Sequence, residues 1–207
     1  MPDDMEPTAL ASARHAMSAS ADVRVGRTRE VIIGAISSLE ADGVPLTVSS
    51  LVRRAGVSRS VFYTHFSGVD DLAGFLLRKA FDQIGVEDLE ARSTRAVTGA
   101  ASARRALTRL AEHFDEHRLL YAGVFSASVA SGAFAVAVDA FKSQGRLVSP
   151  YVGTPPPGID IDAAMEFIAP GAIGLLAAWV RGELVMTPER IVDHIMIFIP
   201  EWLAAEG

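Results

Sequence analysis

LTVSSLVRRAGVSRSVFYTHFSG, residues 46–68, is the stretch on which the reading of this chain turns. It gathers Arg53, Arg54, Arg59 and several small hydroxyl residues around Gly56. Thr47 is placed to cap a helix in which Val48, Leu51, Val52 and Ala55 recur at helical spacing, turning Ser49, Arg53 and Arg54 to the other sides. Gly56 stands where a glycine ends a helix. Ser58 can then cap a second, very short helix, whose Val61, Phe62 and Phe66 turn inward with Val57 and leave Arg59, Ser60, Tyr63 and Thr64 open to solvent. Helix, glycine turn and short helix is helix-turn-helix spacing. The exposed chemistry suits a DNA major groove, because arginine pairs with guanine edges, hydroxyls reach bases or phosphates, and tyrosine donates to phosphate oxygens. Spacing alone fits helical hairpins that never meet DNA equally well.

Charge sharpens the reading. The chain carries a formal net charge of −6 over 207 residues. Residues 21–67, however, hold Arg24, Arg27, Arg29, Arg53, Arg54 and Arg59 against Asp22, Glu30, Glu40 and Asp42, a net of +2. The local field there is opposite in sign to that of the rest, so the acidic balance does not exclude an anionic partner. The bias of arginine over Lys79 and Lys142 suggests GC-rich coding and a bacterial source.

Half the chain is apolar, enough for a substantial core, and the absence of cysteine removes disulfides, cysteine-ligated zinc and thiol nucleophiles. The acidic opening MPDDMEPT is unlike a secretory signal. The longest apolar run, FIAPGAIGLLAAWV from Phe167 to Val180, falls short of the ~20 residues of a membrane span and reads as a buried helix of a soluble, cytoplasmic protein.

Residues 1–25 read as a mobile arm. Ile32, Ala35, Ile36 and Leu39 then mark a helix stopped by Asp42-Gly43. Gly68-Val69-Asp70-Asp71 opens a longer helix through Leu72, Phe75, Leu76 and Ile84, with acidic residues in its first turn. Further helices are predicted near 99–117, 119–127, 128–147, 160–181 and 188–205, the last opened by Thr187-Pro188 as cap and first residue. The expected fold is all-α: an arm (1–25), a three-helix helix-turn-helix unit (26–70) and a larger helical body (71–207).

The pattern T-V-x-x-L-V-x-x-A-G-V-S-x-x-x-F-Y-x-H-F from Thr47 to Phe66 resembles the DNA-binding domain of the TetR family of bacterial transcriptional regulators. The resemblance covers about residues 27–75; beyond it only helical layout and length agree. It implies a phosphate-contacting cap at Thr47 and a recognition surface of Ser58, Arg59, Ser60, Tyr63, Thr64 and His65. Many family members begin the next helix with a lysine that contacts the DNA backbone. This chain has Gly68-Val69-Asp70 there, so Arg24, Arg27 or Arg29 is expected to supply the contact. The resemblance also implies a homodimer on a near-palindromic double-stranded operator, paired through the last two helices with Ile168, Leu175, Trp179, Ile195, Phe198 and Trp202 as candidates. It further implies a small-molecule effector that releases a repressor, with no cofactor and no membrane.

Candidate effector-contacting residues are His113, His117, Tyr121, Phe125, Phe134, Met165 and Trp179, although aromatics at helical spacing are more often core. HFDEH, residues 113–117, also matches the H-x-x-E-H pattern of inverted zinc peptidases. His113 and His117 would share a zinc and Glu116 would act as base, which gives a zinc-dependent hydrolase as the alternative to a non-enzymatic regulator.

Overall fold

The structure, a computed structural model, describes residues 26–95, 97–127 and 132–204. The expected N-terminal arm, with Arg24, lies outside them. Among the described residues all regular structure is helical, as the hydrophobic periodicity predicts. The chain divides into two compact units between Phe66 and Ser67.

The first unit contains α1 (26–41), α2 (Val48–Ala55) and α3 (Arg59–His65). Helix α1 buries the expected stripe of Ile32, Ala35, Ile36 and Leu39. The chain leaves it through Gly43, whose φ of 62° a glycine adopts without strain. Thr47 caps α2 by accepting from the Ser50 N–H, while Ser50 Oγ accepts in return from the Thr47 N–H at 2.9 Å. This is a reciprocal capping box with serine where glutamate or glutamine is usual. Ser50 Oγ also donates to the Pro45 carbonyl at 2.7 Å, which explains a buried serine on a helix otherwise lined by aliphatic residues. Gly56 ends α2 at φ 67°, and Ser58 caps α3 by accepting from the Val61 N–H.

One inward assignment fails. Phe62 and Phe66 are buried, but Val61 is exposed. Neighbouring helical residues point about 100° apart, and the inner stripe of so short a helix goes to the i, i+4 pair of larger aromatic side chains.

The second unit contains α4 (Val69–Ser93), α5 (Gly99–Glu116), α6 (Arg118–Ala127), α7 (Gly132–Val148), a 3-10 turn (Ser149–Tyr151), α8 (Ile161–Val180), α9 (Pro188–Phe198) and α10 (Glu201–Ala204). Helix α4 packs against α7 and α5, and α8 against α7, α6 and α9. At 20 residues α8 is long and apolar enough by length and composition to cross a membrane. Met165, Ala169, Ile173, Leu176 and Trp179 nevertheless point into the unit as a core stripe, and Pro170 sits within the helix without ending it. The single helix expected over 188–205 is broken. Pro200 separates α9 from α10, because proline has no N–H to give and its ring collides with the carbonyl four residues earlier. The Gly153 N–H donates to the Trp202 carbonyl at 2.8 Å and ties α10 to the loop after the 3-10 turn.

Candidate nucleic-acid interface and ligand cavity

Ser58, Arg59, Ser60, Tyr63 and Thr64 are all exposed on α3, with His65 half-buried. The capped start and the buried Phe62 fix the helix so that this face turns outward. Arg59 Nη2 donates to Ser49 Oγ of α2 at 2.7 Å, which holds the guanidinium across the opening between the two helices. Thr64 Oγ1 donates to the Ser60 carbonyl at 3.0 Å, leaving its methyl group available for apolar contact. Tyr63 meets Phe62 edge to face, with ring centroids 5.6 Å apart, so the exposed phenol stands on a core ring. Thr47 and Arg27 are exposed as well. Arg54, by contrast, is engaged with Ser38 and Asp42 and belongs to the scaffold.

Asp70, where a basic residue was the family expectation, has a structural task in the second unit. Its Oδ1 accepts from the Ala133 N–H at 3.2 Å, placing a carboxylate at the N-terminus of α7. Unpaired amide groups and the positive end of the helix dipole favour an anion at that place. Gly132 leaves the room, since a Cβ there would crowd Asp70 Oδ2. The neighbouring Asp71 accepts from the Ser67 N–H at 2.9 Å and so closes the first turn of α4.

HFDEH lies at the end of α5. His113 Nε2 and Tyr121 Oη share a hydrogen bond of 2.7 Å. Tyr121 in turn belongs to a run of packed rings with Phe114 and Phe125, and Phe134 meets Phe125 edge-on at 6.1 Å. Four of the proposed effector-contacting residues, His113, Tyr121, Phe125 and Phe134, thus form one aromatic cluster, with His117 at its edge. Trp179 is buried elsewhere: its Nε1 donates to the Met186 carbonyl at 2.8 Å and the Arg118 guanidinium lies 4.5 Å from its ring centre. Arg118 Nη1 also donates to the Trp179 carbonyl at 2.9 Å, satisfying the C-terminal end of α8.

The potential ligand atoms of His113, Glu116 and His117 lie within 4.8 Å of one another. With Glu116 counted among the ligands, it is no longer available as the general base that the hydrolase alternative requires.

Burial, and then the neighbouring His117, pull the His113 pKa down to about 4. The unfolded chain takes up this proton near the ordinary value of 6.5, whereas the folded chain refuses it until about 4. Stability from this group is therefore complete above pH 6.5, falls as pH drops through that window, and levels off below pH 4. In urea titrations at pH 7 and pH 4, the wild type is expected to lose about 2–3 kcal/mol more than His113→Gln. Equal losses would show that His113 charges freely in the native state.

The second unit also contains an apolar cavity of about 80 Å³, lined by residues of α4, α5, α7 and α8 together with Ile199 and Leu203. Of the residues singled out from the sequence as effector contacts, only Met165 lines it, beside Phe81, Phe141 and Val148. One wall is polar. Asp88 and Arg92 are both buried and paired, Arg92 Nε donating to Asp88 Oδ1 at 3.0 Å. The Ser102 hydroxyl donates to the same oxygen, and Gln144 Nε2 stands 3.5 Å from Asp88 Oδ2. Arg92 Nη2 donates to the Gly99 carbonyl at 3.3 Å, while Nη1 has no hydrogen-bond partner among the described residues. Gly85 admits the Gln144 amide and Gly145 admits the Met165 sulfur, each occupying the place of the missing Cβ. The sequence reading passed over this pair. The signal was present, because Asp88 and Arg92 continue the inward stripe of Leu77, Phe81 and Ile84 on α4.

Of the residues proposed for a dimer face, Ile168, Trp179 and Ile195 are buried within the single chain, whereas Leu175 and Trp202 are half-buried and Phe198 is exposed. Phe167 and Ile197 are strongly exposed, at 86% and 76%. On α8 the outward side continues through Gly171, where among the described residues nothing beyond the helix's own backbone and chain neighbours comes within 4 Å of an added Cβ.

No family model and no curated protein sequence matches the chain. Solved structures do. A TetR-family transcriptional regulator from Syntrophomonas wolfei aligns with a TM-score of 0.56 at 13% identity, over 84% of this chain and 93% of its own. The R. erythropolis transcriptional repressor QsdR, of the TetR family, gives 0.52 at 19% over 84% and 94%. RolR, solved in complex with resorcinol, gives 0.54 at 17% over 86% and 90%. The chain has the all-α fold of the TetR family.

Proposed function

We propose that this TetR-fold chain is a cytoplasmic, homodimeric, sequence-specific DNA-binding regulator, a repressor that a small molecule releases from its operator. The observation that carries this reading is the outward face of α3, where Arg59, Ser60, Tyr63 and Thr64 stand exposed on a helix fixed by its cap and its buried phenylalanine. Residues 26–70 form the DNA-binding domain, and residues 71–207 the effector-binding and dimerisation domain. The helix starts after Ser58 and Thr47 turn first-turn amides to phosphates, Arg27 adds a basic group on α1, and His65 lies at the end of the recognition helix. QsdR is a repressor and RolR binds resorcinol, which supports both halves of the mechanism by likeness of fold. The zinc-hydrolase alternative finds no support among these neighbours, and the proposal is non-enzymatic.

The test is binding to DNA from upstream of the chain's own gene, followed by fluorescence anisotropy across a salt series, with a random-sequence selection run alongside. Salt-sensitive binding that exceeds random DNA is expected. If neither the upstream DNA nor any selected sequence is enriched, the reading falls.

For the dimer, the outward side of α8 and α9 offers Phe167, Ile197 and Phe198 with the half-buried Leu175. Such exposed apolar side chains, flanked by small residues, fit a second copy of the same face. Phe198→Asp is expected to convert a dimer to a monomer in sedimentation velocity, with unchanged helical circular dichroism and at least tenfold weaker operator binding. A variant that remains dimeric would place the interface elsewhere.

A further inference from the structure

Among the described residues the buried Arg92 lacks a partner on one arm of its fork, although buried donors are nearly always satisfied and leaving one unpaired is costly. That arm belongs to a residue on the polar wall of the cavity, beside Asp88 and Gln144. We propose that the cavity takes a small, neutral, largely apolar molecule carrying one carbonyl or hydroxyl oxygen, and that this oxygen accepts a hydrogen bond from Arg92 Nη1. The proposal rests on the regulator reading only in calling that molecule the effector.

Three observations select the class. The free group is a donor, so the ligand must bring an acceptor. The positive charge of Arg92 is already balanced by Asp88, so a carboxylate ligand would be a second anion brought beside a buried carboxylate, with its desolvation uncompensated. The remaining wall, built from Phe81, Ile84, Leu107, Phe141 and Met165, offers only apolar contact. Size restricts the ligand further. An apolar cavity of about 150 Å³ admits benzene, and this one is about 80 Å³. A ring of six atoms therefore requires the wall to give, and the unbranched Met165 is the side chain best able to yield.

The probes are cyclohexanone, its isosteric hydrocarbon methylenecyclohexane, and cyclohexanecarboxylate. Each is titrated against the full chain and followed through the assigned methyl resonance of Met165. In the wild type, cyclohexanone is expected to shift that resonance saturably and the carboxylate to bind at least tenfold more weakly. The ratio of ketone to hydrocarbon affinity is expected to fall about tenfold in the double variant Asp88→Asn, Arg92→Met, which removes the donor without stranding a charge. Should that variant not fold, Arg92→Lys keeps a cation for Asp88 while withdrawing the Nη1 arm, and the same fall in the ratio is expected. An unchanged ratio, tighter binding of the carboxylate, or no shift of Met165 with any probe would overturn the proposal. These titrations contain no DNA, so their failure leaves the operator result standing, and failure on the operator leaves them standing.

Discussion

Replacing Arg59 by alanine is expected to weaken binding to the specific operator by roughly 10- to 100-fold per recognition helix, the cost of one bidentate base contact. The expectation comes from position. Arg59 opens α3 just after the Ser58 cap, is exposed, and is held at 2.7 Å from Ser49 Oγ on the preceding helix. A guanidinium restrained in this way loses less side-chain freedom when it meets a base edge than one moving freely in solvent. The buried residues of the first unit are untouched, so the helical spectrum and unfolding midpoint should not change. Two kinds of contact are separable in one salt series. If Arg59 reads a base, operator binding falls while binding to random DNA stays near its wild-type value. If it holds a phosphate, both fall together and the salt dependence flattens by about one unit of slope. Tyr63→Ala, on the same exposed face, is the natural companion. Wild-type affinity in both variants would remove α3 from the interface.

The largest effect on stability is expected from Asp88→Ala. The variant leaves Arg92, with a side chain only 5% exposed, as a charge without its counter-ion in the interior of the second unit. Removing one member of a buried pair costs about 3–5 kcal/mol, chiefly through the stranded charge. Ser102, buried and donating to the same carboxylate, loses its acceptor too. In a chain of this size such a loss corresponds to a fall in melting temperature of roughly 6–20 °C. Asp88→Asn keeps an acceptor for both donors and should cost less. A loss below about 1 kcal/mol in Asp88→Ala would mean that water reaches the pair in solution, since solvated pairs contribute little.

How much of this could be read beforehand depended on the range of the interactions. Thr47, Gly56, Ser58 and Thr187-Pro188 were legible because caps and left-handed glycines act within four residues. The stripe Ile32, Ala35, Ile36 and Leu39 was legible because periodicity is local. Val61 was misassigned because on so short a helix the narrow inner stripe takes the i, i+4 pair Phe62 and Phe66, and only packing decides between neighbours about 100° apart. The body was harder. Aromatic residues marked a core without saying where a space would remain, so His113, Tyr121 and Phe125, expected to contact an effector, pack on one another and do not line the cavity. The Asp88–Arg92 pair was passed over, because its burial depends on α5 and α7, which lie 14 residues away at Ser102 and 56 at Gln144. The task of Asp70 was equally out of reach, since its partner, the Ala133 amide, is 63 residues on.

That last contact gives α7 two ends with different occupations. Near its start the Ala133 amide holds Asp70, which follows the boundary between the two compact units by only a few residues, and toward its other end Gln144, Gly145 and Val148 line the cavity. A helix is stiff over this length, and the 11 residues from Ala133 to Gln144 span about 16 Å. Widening the cavity so that α7 pivots by roughly 5° near Gln144 would carry Ala133 about 1.4 Å sideways over that span. Such a displacement exceeds the roughly 0.5 Å range of hydrogen-bond lengths and is large beside the play in a packed core. In that event the carboxylate at Asp70 would be the linkage of a lever, and what entered at one end of the rod would be felt as traction on the first turn of α4.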